Sequence, residues 1–212
     1  MARRFPARLA PLVIMGALAL VLMTSGGCAL FGFLAYTFTP PRVEAMYKPP
    51  LTPILVLVEN RDNPGMLVAE TDQLTAFILD ELAAFEVAPL IPRDKLEHLR
   101  DSNPDIDKLT ISQIGKELGA QQVLYVDLQR ISIGALGGIP AHGRVDARVH
   151  MVDVATGKMT FPRNSEEGWP ISIETPITQD IKESDLPGVS ENLLRAAGTT
   201  IGRMFHKYNP EG

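Results

Sequence analysis

Residues 144–151, RVDARVHM, alternate without a break. Arg144, Asp146, Arg148 and His150 fall on one side of an extended chain, and Val145, Ala147, Val149 and Met151 on the other. Successive side chains of a strand point to opposite faces, so this strand has one wet face and one buried face. Residues 53–60, PILVLVEN, do not alternate: they are a continuous apolar run that ends in polar residues and the turn signal RDNPG at 61–65. Such a run reads as a central strand buried on both faces. A chain carrying both kinds of strand needs a sheet, and helices to cover it.

The helices are visible in the spacing of apolar residues. Leu74, Phe77, Ile78, Leu82 and Phe85 share one helical face, with Asp72, Asp80 and Glu81 mostly off it. VAPLIP (87–92) reads as a short second strand, and RDKLEHLRDS (93–102) as a short polar helix. LTISQIGKELGA (109–120) carries a capping box, Thr110 with Gln113, and Gly119 supplies a left-handed stop. QQVLYVDLQRISI (121–133) is a third strand, GALGGIPAHG (134–143) a loop, and DVATGKM (153–159) a hairpin turned at Gly157. Strands near 158–162 and 169–174 follow. Ser190 is placed to cap a last helix whose Leu194, Ala197, Ile201, Phe205 and Tyr208 share a face, with Gly198 and Gly202 allowing close approach to the sheet. This order predicts an α/β fold, a two-layer sandwich in which a mixed β-sheet is covered by helices.

The N-terminus is a separate problem. Arg3, Arg4 and Arg8 precede an apolar stretch from Leu9 to Met23, and the small residues Thr24-Ser25-Gly26-Gly27 lead to Cys28, the one cysteine of the chain. One thiol makes no intrachain disulfide and no Cys-rich zinc site. The pattern resembles a bacterial lipobox, in which the signal is cut before a cysteine that then carries acyl chains. Ser25 stands where that motif usually has Leu. Apolar character resumes in ALFGFLAYTF (29–38), so Leu9 to Phe38 is also long enough to span a bilayer as an uncleaved anchor. Both readings put the later residues outside the inner membrane. Under the lipobox reading, residues 1–27 are a lipoprotein signal peptide, Cys28 is the lipidation (palmitate) site, and 28–52 are an apolar, proline-rich tether to a single domain at 53–209. Ala29 then leans towards the outer membrane.

Three stretches in order carry a family resemblance. IGKELGAQQVLYVDL (114–128) resembles the helix–Gly-Ala–strand unit of the N-terminal domain of TolB and of the curli lipoprotein CsgG. RVHMVDVATGKM (148–159) is similar to their next hairpin, and LIPRDKLEHLRDS (90–102) to the segment after their second strand. The penicillin-binding-protein activator lipoproteins share this plan. The resemblance implies an anticodon-binding-like, TolB N-terminal-like α/β domain. It also implies a non-catalytic role, docking or assembling with other envelope proteins on the periplasmic side of a bacterial membrane. It does not extend to TolB's propeller or CsgG's pore hairpins, since ISIGALGGIPAHG is too short to cross a membrane.

No catalytic centre emerges from the motifs. His98, His142, His150 and His206 are scattered without metal-ligand spacing. GVSEN (188–192) misses the second glycine of a nucleophile elbow, and DSNPDID (101–107) lacks the glycine and bidentate glutamate of a calcium loop. Glu166-Glu167 are adjacent and in a loop, so they make no acid–base pair. Residues 28–212 hold 25 acidic and 17 basic side chains, which gives no footprint for nucleic acid. The expectations are therefore no enzyme activity and no cofactor or metal. The partners expected are a membrane and an envelope protein or a second copy. Gly134, Gly137, Gly138, Arg144 and Arg148 are the candidate contact surface. A periplasmic module binding a small molecule or glycan is the alternative.

Overall fold

The computed structural model describes residues 42–61, 68–134, 142–175 and 186–210. Cys28, Gly137 and Gly138 lie outside them. β1 (Ile54–Glu59) is the expected first strand, and Ile54 to Val58 are all buried. It pairs in parallel with β2 (Gln122–Gly134), from Ile54 opposite Gln122 to Glu59 opposite Asp127. β2 pairs antiparallel with β3 (His142–Asp153). The far edge of β3 is shared end to end by β4 (Met159–Phe161) and β5 (Trp169–Glu174).

β1 is thus buried on both faces but is not central. It stands last in the sheet order, and the strand expected at 87–92 is reduced to a single parallel bridge from Leu90 to Ile54. Pro89 and Pro92 explain this, because neither has an N–H to extend a ladder. What remains is Ile54 N–H donating to Pro89 O and Ile91 N–H donating to Ile54 O, both at 2.8 Å. Pro92 then sits in extended conformation as the N-cap of the next helix.

Helices cover the two faces unequally. α1 (Val68–Ala84) and the C-terminal α4 (Leu186–Arg203) lie on one face over the main core. There Leu74, Ile78 and Leu82 of α1 meet Leu124, Val126 and Leu128 of β2, and Val145, Ala147, Val149 and Met151 of β3. Each such Leu or Ile, fully buried, contributes about 1.5–3 kcal/mol over leaving it exposed. The other face is covered by α2 (Arg93–Ser102), a 3₁₀ turn (Ile106–Lys108) and α3 (Ile111–Glu117). Leu96, Ile106 and Ile114 pack there on Leu55, Leu57, Val123 and Tyr125, which belong only to β1 and the start of β2. The mixed sheet with its helix cover is the α/β class expected; among the described residues, no helix covers the second face of β3 around Arg148 and Asp146.

Local chemistry accounts for the short elements. Thr110 Oγ1 accepts from Gln113 N–H at 3.3 Å and Gln113 Oε1 from Thr110 N–H at 2.8 Å, which is the capping box read from the sequence. In the β3–β4 hairpin, Asp153 Oδ1 accepts from Thr156 N–H and Oγ1–H at 2.8 and 2.6 Å, while Gly157 takes φ +67°. Those bonds hold the Asp153 carboxyl below its usual range.

α4 departs from expectation twice. It begins at Leu186, so Ser190 is inside the helix and caps nothing. Gly198 and Gly202 face α1 rather than the sheet: a Cβ on Gly198 would stand 2.5 Å from Phe77 Cβ, and one on Gly202 would meet Glu81. The small residues bring two helices together over the core.

Residues Glu44–Tyr208 form one compact unit. It includes the end of the segment assigned to the tether. Met46 and Tyr47 N–H groups both donate to Met204 O, at 2.8 and 3.1 Å, and the Tyr47 ring packs against Phe161 and Phe205 at 5.7 and 6.4 Å.

Candidate functional site

Where the helix cover stops, the second face of β2 and β3 floors an open groove of about 500 Å³. Strand register assembles it. Tyr125 lies opposite His150, and Asp127 opposite Arg148. Gln129 follows at an irregularity in the β2–β3 register between Leu128 and Arg130. Ile111, Val152 and Met159 give the groove apolar lining, and Arg61, Glu166 and Glu167 add charged lining.

The β4–β5 connection closes one side. Gly168, at φ +86°, lies against the His150 ring so closely that any Cβ would collide with it. Arg148 Nη1 reaches Glu167 Oε2 at 3.3 Å. His150 is therefore half-buried, not the freely solvated histidine that alternation alone suggests. Burial pushes its pKa down, Asp127 opposes the shift, and Arg148 and Arg61 reinforce it, so the ring is neutral at pH 7. Tyr125 is 5% exposed. Burial first, then the Glu59 and Asp127 carboxylates, push its ionisation far up against the opposing pull of Arg61, and it stays a phenol. Asp127 accepts the Arg61 backbone N–H at 3.2 Å.

Along the same face the charges alternate in sign. Arg144 contacts both Asp146 and Glu174 at 2.9 Å, and Arg130 stands opposite Asp146 across the ladder. The Arg144 hydrogen bond holds the Asp146 carboxyl below its usual range despite partial burial, with Ser172 assisting. Arg144 and Arg148, picked from the sequence as contact residues, do share this face, but as members of ion pairs. Gly134 ends β2. Tyr125, Asp127 and Gly168 were not among the residues singled out for this surface. The i, i+2 spacing of Tyr125 and Asp127 was the available signal, whereas the approach of Gly168 to His150 is a long-range contact.

The remaining candidates fall elsewhere. His98 is exposed on α2, and buried His206 joins Glu81 at 3.0 Å and stacks on Phe85 with centroids 3.8 Å apart. Asn103 Oδ1 accepts the Asp105 N–H at 3.0 Å, a turn bond within the Asx-rich connection. Among the described residues, no three His, Cys, Asp or Glu side chains converge to hold a metal ion. No described helix is long and apolar enough to cross a membrane.

Neither a protein-family model nor a curated protein matches the chain. Solved structures do. A lipoprotein from Neisseria meningitidis is 17% identical with a TM-score of 0.43, over 69% of this chain and 97% of that one. The C-terminal domain of LpoB from Salmonella enterica is 18% identical with a TM-score of 0.35, over 63% and 84%. TolB from Acinetobacter baumannii is 9% identical with a TM-score of 0.35, over 76% of this chain and 28% of its own. The structures that this chain is similar to thus include bacterial lipoproteins and TolB.

Proposed function

We propose that the chain is a non-catalytic lipoprotein of the bacterial envelope whose α/β domain, held at the membrane and facing the periplasm, docks or assembles with other envelope proteins. The observation that carries the location is the N-terminal sequence: three arginines, an apolar run, four small residues and then Cys28. Support for docking comes from the sheet face that no described helix covers. It presents a groove with paired charges of both signs, the kind of surface that fixes the register of a partner.

Metabolic labelling with palmitate tests the location. The wild type should take up label and partition with membranes; Cys28→Ser should lose the label and accumulate as precursor or be released. An unlabelled wild type that still sediments with membranes would replace the acyl anchor with an uncleaved helix. Crosslinking from the Arg148 face in intact cells tests docking, and a wild type that yields no adduct from that face refutes it.

A further inference from the structure

We propose that the end of the domain where β1 begins lies on the membrane surface, with exposed Met46, Leu51 and Phe85 entering the headgroup layer of the bilayer that anchors the chain. This rests on the N-terminal anchor, and it adds which side of the domain the membrane meets.

Three segments distant in sequence meet at that end. Met46 and Tyr47 N–H donate to Met204 O, Ile54 N–H donates to Pro89 O, and the Phe85 ring stacks on His206 with centroids 3.8 Å apart. Residues 44–53, 83–89 and 204–208 are thereby held together, and what they expose is largely apolar. Leu51 is 80% exposed, Phe85 50% and Met46 48%, with exposed Pro50, Ala84 and Pro89 beside them in the chain. Large apolar side chains grouped at one exposed surface mark a contact site. The charges of these three segments balance, Lys48 and Lys207 against Glu44 and Glu86, and Lys207 pairs with Glu44 at 2.5 Å. Residues 28–212 as a whole hold 25 acidic and 17 basic side chains. This end therefore approaches lipid phosphates without the repulsion the rest of the protein would meet, and lysines beside apolar residues suit the headgroup layer.

The length of chain leading to Glu44 selects the occupant. The apolar run ALFGFLAYTF ends at Phe38, and five residues, Thr39 to Val43, separate it from Glu44. Even fully extended, they reach at most about 22 Å. With either acylated Cys28 or an uncleaved helix as anchor, a run of this composition partitions into lipid and keeps Glu44 within that distance of the bilayer. A gap of that size is too narrow for another folded domain, since 100 residues have a radius of gyration of about 13 Å. Lipid is what this end meets first. β2 starts beside Ile54 and runs from Gln122 to Gly134, so it carries the far end of the β2–β3 pair about 40 Å outward, where a partner can reach it.

The test uses the full chain reconstituted in vesicles of phosphatidylethanolamine and phosphatidylglycerol with brominated acyl chains. Trp169, the one tryptophan of the sequence, is removed by Trp169→Phe, and a single reporter is placed by Leu51→Trp, Phe85→Trp or Ser132→Trp. Leu51 and Ser132 are exposed, so a tryptophan at either leaves the core alone, and Ser132 lies towards the far end of β2. Leu51→Trp and Phe85→Trp should lose about half of their emission to bromine, and Ser132→Trp almost none. Adding Leu51→Asp should restore most of the Phe85→Trp emission. Equal quenching at Leu51→Trp and Ser132→Trp overturns the proposal. So does a blue-shifted Leu51→Trp that bromine leaves bright, because protein, either residues 29–38 or a second copy, would then cover the surface. If the protein floats with the vesicles and Leu51→Trp is not quenched, the anchor stands and the apposition falls; if it does not float, both fall.

Discussion

Two helix ends use the same backbone turn with different residues in its left-handed position. α3 ends with Ala120 N–H donating to Gly115 O and Gly119 N–H to Lys116 O, and Gly119 takes φ +75°. α1 ends with Val87 N–H donating to Leu82 O and Glu86 N–H to Ala83 O, and there Glu86 takes φ +47°. A side chain in that region costs about 1 kcal/mol, which glycine avoids. Glu86→Gly should therefore stabilise the domain by about 0.5–1 kcal/mol in urea denaturation. Gly119→Ala should destabilise it by about 1 kcal/mol, although nothing crowds a Cβ there. His150 bears on pH. Its folded pKa lies below the ordinary 6.5, so between the two values the unfolded chain binds more protons. Its contribution is fully present above 6.5 and is lost as pH falls through that value towards the folded one. The pH slope of stability below 6.5 should flatten in His150→Gln; identical slopes in the two proteins would refute this.

At the scale of elements, Tyr47 shows that a segment composed like a linker can belong to the fold. Tyr47→Ala should cost about 2 kcal/mol, read by thermal or urea unfolding, since it strips an aromatic from between Phe161 and Phe205. A domain begun at Glu44 should accordingly be more stable than one begun at Pro53. Features set by near neighbours were legible in the chain: the Thr110–Gln113 box, the Gly119 stop, the Gly157 turn and the two faces of β3. Features set by distant residues were not. Alternation marks His150 as outward, but only the fold brings Gly168 onto its ring. A continuous apolar run says that β1 is buried, not that it stands last in the sheet. Gly198 and Gly202 announce close approach without naming α1 as what approaches. The strand expected at 87–92 failed for a local reason that was visible, because its two prolines limit it to one bridge. For the groove, the residues of one strand face were legible and the absence of a covering helix was not.

Across the molecule, cover is uneven, and stability should follow it. Amides of β1 and of β2 up to Tyr125 lie between two helical layers, whereas β5 has one neighbouring strand among the described residues and exposed Trp169, Pro170, Ser172 and Glu174. Native-state hydrogen exchange should find the slowest amides in β1 and early β2, and β5 should open at lower free energy. Equal protection in β5 and β1 would contradict that gradient.

The bonds from Met46 and Tyr47 to Met204, with the ion pair between Glu44 and Lys207, bring the two extremities of the domain side by side. A short synthetic bridge from Tyr208 to Glu44 would then close the backbone into a ring without bending any strand or helix. Such a cyclised domain should keep its native spectrum and melt at a higher temperature, because joining ends that already touch removes entropy from the unfolded chain alone.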